Sequence, residues 1–139
     1  TSGLTVAFTS GAPAICTVTG STVSFIAIGT CVVNANQSGD TNWNAATQVQ
    51  QSFAVGKGSQ TITFSAPSTT KLSAGSASLN GTASSGLTVA YSSSDTTICT
   101  VAGSTVTYKA KGKCTITASQ SGDANWNAAS NVVVFWNVN

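Results

Sequence analysis

The chain is 139 residues long, room for one ordinary domain or two small ones, and only 6% of it is charged: five Lys, three Asp, and no Arg, Glu or His. A net charge of +2 without Arg offers no basic patch for phosphates, which argues against nucleic acid as a partner. Three isolated carboxylates with no His to pair with argue against general acid–base catalysis, so neither an enzyme nor a cofactor is expected.

Ser and Thr supply roughly a third of the chain, and Val, Ile and Thr dominate the apolar runs, a strand-forming bias. The expected class is all-β. No run reaches the 18 or so apolar residues of a membrane helix, so no membrane insertion is expected. The start carries no charged or apolar leader, which would place any secretion signal on a longer precursor.

The first stretch, "SGLTVAFTS…AICTVTGSTVSFIAIGTCVVNANQSGDTNWNAAT" from Ser2, returns as "SGLTVAYSS…TICTVAGSTVTYKAKGKCTITASQSGDANWNAAS" from Ser85. Cys16 recurs as Cys99, an offset of 83 positions. About 27 of the 45 positions 3–47 are identical in the second copy, far above chance for a single chain. The array is asymmetric: "GSQTITFSAPSTTKLSAGSASLNGTAS" precedes the second copy and nothing equivalent precedes the first. The expected organisation is an incomplete repeat at 1–55 that lacks its leading strands, either because the chain was cut from a longer one or because another chain completes it, then a linker at 56–58 and a complete repeat at 59–139.

Each copy holds one cysteine pair at the same spacing, Cys16 with Cys31 and Cys99 with Cys114. One pair per copy suggests an intradomain disulfide and an oxidising compartment. Four buried free thiols are the alternative, and zinc is disfavoured because there is no His and no CxxC. Each bridge would close a loop of about 15 residues, worth on the order of 3 kcal/mol in the chain-entropy account.

In the second copy, short strands are expected at 60–64, 77–79 and 87–92, between Gly, Ser and Pro turns. Three more follow at 98–102, 105–110 and 113–119. Alternation puts Cys99, Val101, Val106, Tyr108, Ala110, Cys114, Ile116 and Ala118 on the core side, with Thr100, Thr107, Lys109, Thr115 and Thr117 facing water. "SGDANWNAAS" reads as a loop and "NVVVFWNVN" as a final strand. Seven or so short strands in about 82 residues suggest a sandwich.

The stretch "VAYSSSDTTICTVAGSTVTYKAKGKCTITAS" resembles bacterial immunoglobulin-like domains of the group 2 type, found in tandem in invasin- and intimin-like adhesins and other large secreted surface proteins. Those domains typically run from a Ser-rich turn through A-T-V, a Gly turn, V-x-A and a Gly to T-A-T-I-T-A. Cys99 and Cys114 stand where that pattern has alanines, two small core positions well placed to be bridged. The resemblance covers residues 58–138 and nearly all of the first copy. It implies tandem immunoglobulin-like sandwiches on a bacterial cell surface; it says little about function, because such folds serve as spacers as often as binders.

Two loops invite a ligand reading. "DTNWN" brings together Asp40, Asn42, Trp43 and Asn44, and "DANWN" brings together Asp123, Asn125, Trp126 and Asn127. Oxygen-bearing side chains at alternate positions are like the opening of a calcium loop, but the Gly and the distant Glu are missing, so calcium at Asp40 or Asp123 would bind weakly and an Asx turn is the cheaper account. Each Trp flanked by amides could stack on a sugar ring; the competing account is a plug over the open end of its own sandwich.

Two anomalies point to assembly. Phe25, Ile26 and Ile28 lie where the second copy has Tyr108, Lys109 and Lys111, and Ile26 and Ile28 read as outward positions on a strand whose copy carries Lys109, Lys111 and Lys113. Lysines so placed could attract anionic wall polymers, but they are also the usual guard against strand pairing, the favoured reading. The stretch "QVQQSF" becomes "NVVVFW", so Val133, Val134, Phe135 and Trp136 make a last strand apolar on both faces. The expected partners are copies of the chain itself or neighbouring repeats of a longer one, packed end to end into an extracellular fibre, stalk or filament. The alternative is an adhesin module that binds a glycan or host protein through the Trp loops.

Overall fold

The computed structural model describes residues 1–139, and the chain divides into two compact units, Thr1–Lys57 and Gly58–Asn139. Unit 1 has five strands: β1 (Ala7–Ser10), β2 (Cys16–Thr19), β3 (Thr22–Phe25), β4 (Gly29–Asn36) and β5 (Val49–Val55). Unit 2 has eight: β6 (Ile62–Thr63), β7 (Ser76–Ser78), β8 (Thr82–Ala83), β9 (Ala90–Ser93), β10 (Cys99–Ala102), β11 (Thr105–Tyr108), β12 (Gly112–Ser119) and β13 (Val132–Val138), with a 3-10 turn at Leu72–Ala74. The protein is all-β, and every ladder is antiparallel.

In unit 2 the long strand β12 lies between β13 and β9, facing a second sheet ordered β10-β11-β7 and the small pair β6-β8. The period-2 alternation of the sequence does the building. Cys114, Ile116 and Ala118 of β12, Val106 and Tyr108 of β11, and Ile62, Phe64 and Leu79 of the leading segment close one buried cluster. Burying a Val, Ile or Phe side chain contributes about 1.5–3 kcal/mol each, which is what holds the two layers together.

Unit 1 repeats half of this. Its sheet β1-β4-β5 has the pairing of β9-β12-β13, and β2-β3 that of β10-β11. Nothing within unit 1 stands where β6, β7 and β8 stand in unit 2. Cys16 and Cys31 are its only fully buried apolar side chains. They form a disulfide with Cα atoms 5.6 Å apart, and Cys99 and Cys114 do the same at 5.7 Å. In each unit the bridge ties the two sheets together, since one cysteine lies on the hairpin and the other on the central strand. Two closed disulfides in so small a chain belong to an oxidising environment.

Several expected elements shift. The span 60–64 hydrogen-bonds as a strand only at Ile62–Thr63, 77–79 becomes Ser76–Ser78, 87–92 becomes Ala90–Ser93, and β8 was not anticipated. Ile26 and Ile28 do not lie on a strand. β3 ends at Phe25, and residues 26–28 turn from one sheet to the other, the N–H groups of Ile26 and Ala27 both donating to Ile15 O. Lys109 and Ala110 do the same to Ile98 O, so Lys109 and Lys111 sit in a turn and only Lys113 is on a strand. Glycine is required at the end of that turn: Gly29 and Gly112 have φ of +144° and +148°, and a Cβ on either would come within 2.8 or 2.9 Å of the Ile15 or Ile98 side chain.

The last strand is not apolar on both faces throughout. Val134 packs inward against the core and Trp136 is buried within it, whereas Val133 and Phe135 point outward and are exposed. Trp136 is therefore removed from any outward assembly surface, and Val134 with it. The Lys113 ammonium lies 4.0 Å from the Phe135 ring centroid, a cation–π contact on the exposed face.

Candidate functional site

The inner face of unit 1 is the surface that most needs a function. Its residues are those that form the core of unit 2, yet they are open. Val6, Phe25 and Phe53 are 45%, 61% and 42% exposed, and their counterparts 83 positions on, Val89, Tyr108 and Trp136, are 8%, 5% and 7% exposed. Phe25 and Phe53 meet edge to face, ring centroids 6.0 Å apart, with no further layer over them. Phe8 is also exposed, whereas its counterpart Tyr91 is covered by Phe64 at a centroid distance of 5.3 Å. In unit 2 the equivalent face is covered by Ile62, Phe64 and Leu79.

At one end of this face Thr1, Ser2, Gly3, Gln37, Trp43 and Asn44 line an open cavity of about 390 Å³. Two Asx turns set the Trp residues in place. Asp40 Oδ1 accepts from Asn42 N at 2.8 Å and Trp43 N at 2.9 Å, and Asp123 Oδ1 from Asn125 N and Trp126 N at the same distances. These carboxylates are engaged by backbone N–H groups, and no third acidic or sulfur ligand joins either of them. Asn42, Asn44, Asn125 and Asn127 flank the Trp residues as the sequence places them.

The two Trp side chains differ in what covers them. Trp126 is half-buried and faces Gly58: a Cβ on Gly58 would lie 2.8 Å from its ring. Gly58 N donates to Asn125 O, and Asn127 N donates to Gly58 O. Trp126 thus closes over the first residue of its own leading segment. Trp43, exposed, has no such residue over it.

Ile26 and Ile28 are exposed in the turn after β3. The counterpart of Ile28, Lys111, lines a cavity with Lys71, Leu72 and Asn139, so Ile28 stands at the position that meets a leading segment's Leu72. The sequence singled out Ile26 and Ile28 for apolar character where the copy is charged, and placed them on a strand, whereas they lie in a turn. It missed Val6, Phe8 and Phe53, because nothing in their spacing separates them from the buried Val89, Tyr91 and Trp136.

No protein-family model matches the chain, and no curated protein shows significant similarity to it. The resemblance to bacterial immunoglobulin-like repeats rests on the residues alone.

Proposed function

We propose that the chain is a structural component of an extracellular bacterial fibre, stalk or filament, built by end-to-end packing of immunoglobulin-like domains. The observation that carries this reading is the uncovered inner face of unit 1, an interior surface turned to solvent in a chain that elsewhere covers the same residues. Low charge, Ser/Thr-rich strands and one disulfide per unit suit a protein that persists outside the cell. The exposed Val133 and Phe135 give unit 2 an apolar outward strip of its own, a second surface for packing.

Electron microscopy of the purified chain, with molar mass measured by light scattering over a range of concentration, tests this. Fibres or concentration-dependent growth are expected. Dispersed monomers at high concentration would leave an inert spacer. The adhesin reading is separated by a glycan array: binding lost on Trp43→Ala or Trp126→Ala would favour it over a purely structural role.

A further inference from the structure

Unit 2 displays what unit 1's open face is shaped to receive. Gln60 there is 7% exposed and fully engaged: its Nε2 donates to Gln120 Oε1 at 2.6 Å and to Asn127 O at 2.7 Å, and its Oε1 accepts from Ser85 Oγ. The same three partners 83 positions earlier, Gln37, Asn44 and Ser2, line the open cavity of unit 1. Asn42 and Asn44, beside the bare Trp43, hold the places of the backbone groups that grip Gly58. Ile62 and Phe64, two and four residues beyond Gln60, cover the face that in unit 1 exposes Val6 and Phe8.

A strand edge is ready as well. β11 pairs on one side with β10 and on the other with β7, in the register Thr105↔Ser78, Val106↔Ala77 and Thr107↔Ser76. Its counterpart β3 pairs with β2 alone, so its second edge is unpaired at Thr22, Val23 and Ser24. An open edge beside an apolar groove is the arrangement that binds a peptide as an added strand.

We propose that this face is a receptor for an extended, uncharged segment of pattern G-x-Q-x-I-x-F followed by a short strand, the chemistry that residues 58–84 carry. The Gly lies on Trp43, the Gln enters the cavity between Gln37 and Asn44, the Ile and Phe cover Val6 and Phe8, and the strand pairs with β3 in the register of β7. Unit 1 would grip such a segment with fewer polar contacts than unit 2 does. In unit 2 two hydroxyls clamp the built-in segment, Tyr91 Oη accepting from Gly81 N and Tyr108 Oη donating to Thr69 O, both at 2.6 Å. Unit 1 has Phe8 and Phe25 at those positions, keeping the apolar contact without the clamps, and it adds Ile28 where Leu72 would rest.

The test is a titration of the 139-residue chain with a synthetic peptide of residues 58–84, read by Trp43 emission and by amide NMR shifts. Saturable one-to-one binding is expected, with shifts at Val23, Ser24 and Asn44. A peptide carrying Gln60→Leu strands buried polar groups and should bind about tenfold more weakly; one carrying Gly58→Val should be weakened similarly by the Trp43 ring. Both leave the protein untouched, so misfolding cannot mimic the result. Gln37→Leu in the chain should give the same loss.

No saturable binding, or binding indifferent to Gln60→Leu and Gln37→Leu, overturns the proposal. So does dimerisation through two unit 1 faces that the peptide cannot reverse, which would make a second copy the occupant. The proposal does not depend on the filament reading. Fibres without peptide binding would overturn it and spare that reading, and peptide binding without fibres would do the reverse.

Discussion

Unit 2 folds Val89, Tyr108 and Trp136 into a closed core, while unit 1 holds Val6, Phe25 and Phe53 on the same ladder positions with their surfaces open to water. The ladders and the disulfide are alike, so neither decides the difference. What decides it is residues 58–84, which bring Ile62, Phe64 and Leu79 over unit 2. A sheet's inner face is thus specified by its own alternation, but whether it becomes core or binding surface depends on a second segment.

The sharpest way to strain that contrast is to truncate paired positions. Trp136→Ala should destabilise unit 2 by roughly 3–5 kcal/mol, through lost burial and the cavity left behind. Phe53→Ala, at the same ladder position of unit 1, should change stability by less than about 1 kcal/mol, as surface substitutions do. Equal losses in chemical denaturation followed unit by unit would mean that unit 1 is closed in solution.

Removing the Cys99–Cys114 bridge by a double Ala substitution should lower unit 2 by about 3 kcal/mol on the chain-entropy account, leaving it folded on its remaining core. Removing Cys16–Cys31 takes away the only fully buried side chains of unit 1. That unit should lose its dispersed NMR signals while those of unit 2 stay. Survival of both would show that unit 1 has packing the open face does not suggest.

Gly58→Val sets a side chain against the Trp126 ring and should destabilise unit 2 by about 1–3 kcal/mol, the usual range for overpacking, with a red shift in Trp126 emission. Trp43 has no such neighbour and should be silent. An unchanged melting curve would remove the steric basis for the Gly position in the recognition pattern.

The smallest effect is at the turn before each first cysteine. In unit 2 the Thr97 hydroxyl, and then the Thr97 N–H, hold the Asp95 carboxyl below the ordinary carboxylate range. A depressed value in the fold means that the contribution is present above the ordinary carboxylate value and is lost as pH falls from there through the lowered one. Thr97→Ala should bring Asp95 back toward its ordinary value in an NMR titration. Unit 1 has Ala12 at this position and should show no acid response there.

Much of this was legible in the sequence where one local rule governs. Alternation from Cys99 to Ala118 located the buried side chains of β10, β11 and β12, and the cysteine spacing located the bridges, because both depend on neighbours along the chain. Across 60–64 the sequence suggested a strand; Gln60, Ile62 and Phe64 do alternate inward, yet the ladder forms only at Ile62–Thr63 against β8, with one further backbone bond from Ser84 N to Thr61 O. β8 itself, Thr82–Ala83, lies among small residues that carry no alternation. Residues 25–28 alternate like a strand, and the change of sheet shows only in the fold, in the bonds of Ile26 and Ala27 N–H to Ile15 O and the positive φ of Gly29. The open face was the least legible, since it is defined by what is missing over it.

The most direct test is solvent accessibility of the aromatic residues in the monomeric chain, measured as NMR line broadening by a soluble paramagnetic probe. The account predicts that Phe8, Phe25, Phe53 and Trp43 broaden strongly, that Tyr108 and Trp136 do not, and that the peptide of residues 58–84 protects the first group. Equal protection of both groups in the free monomer would contradict it.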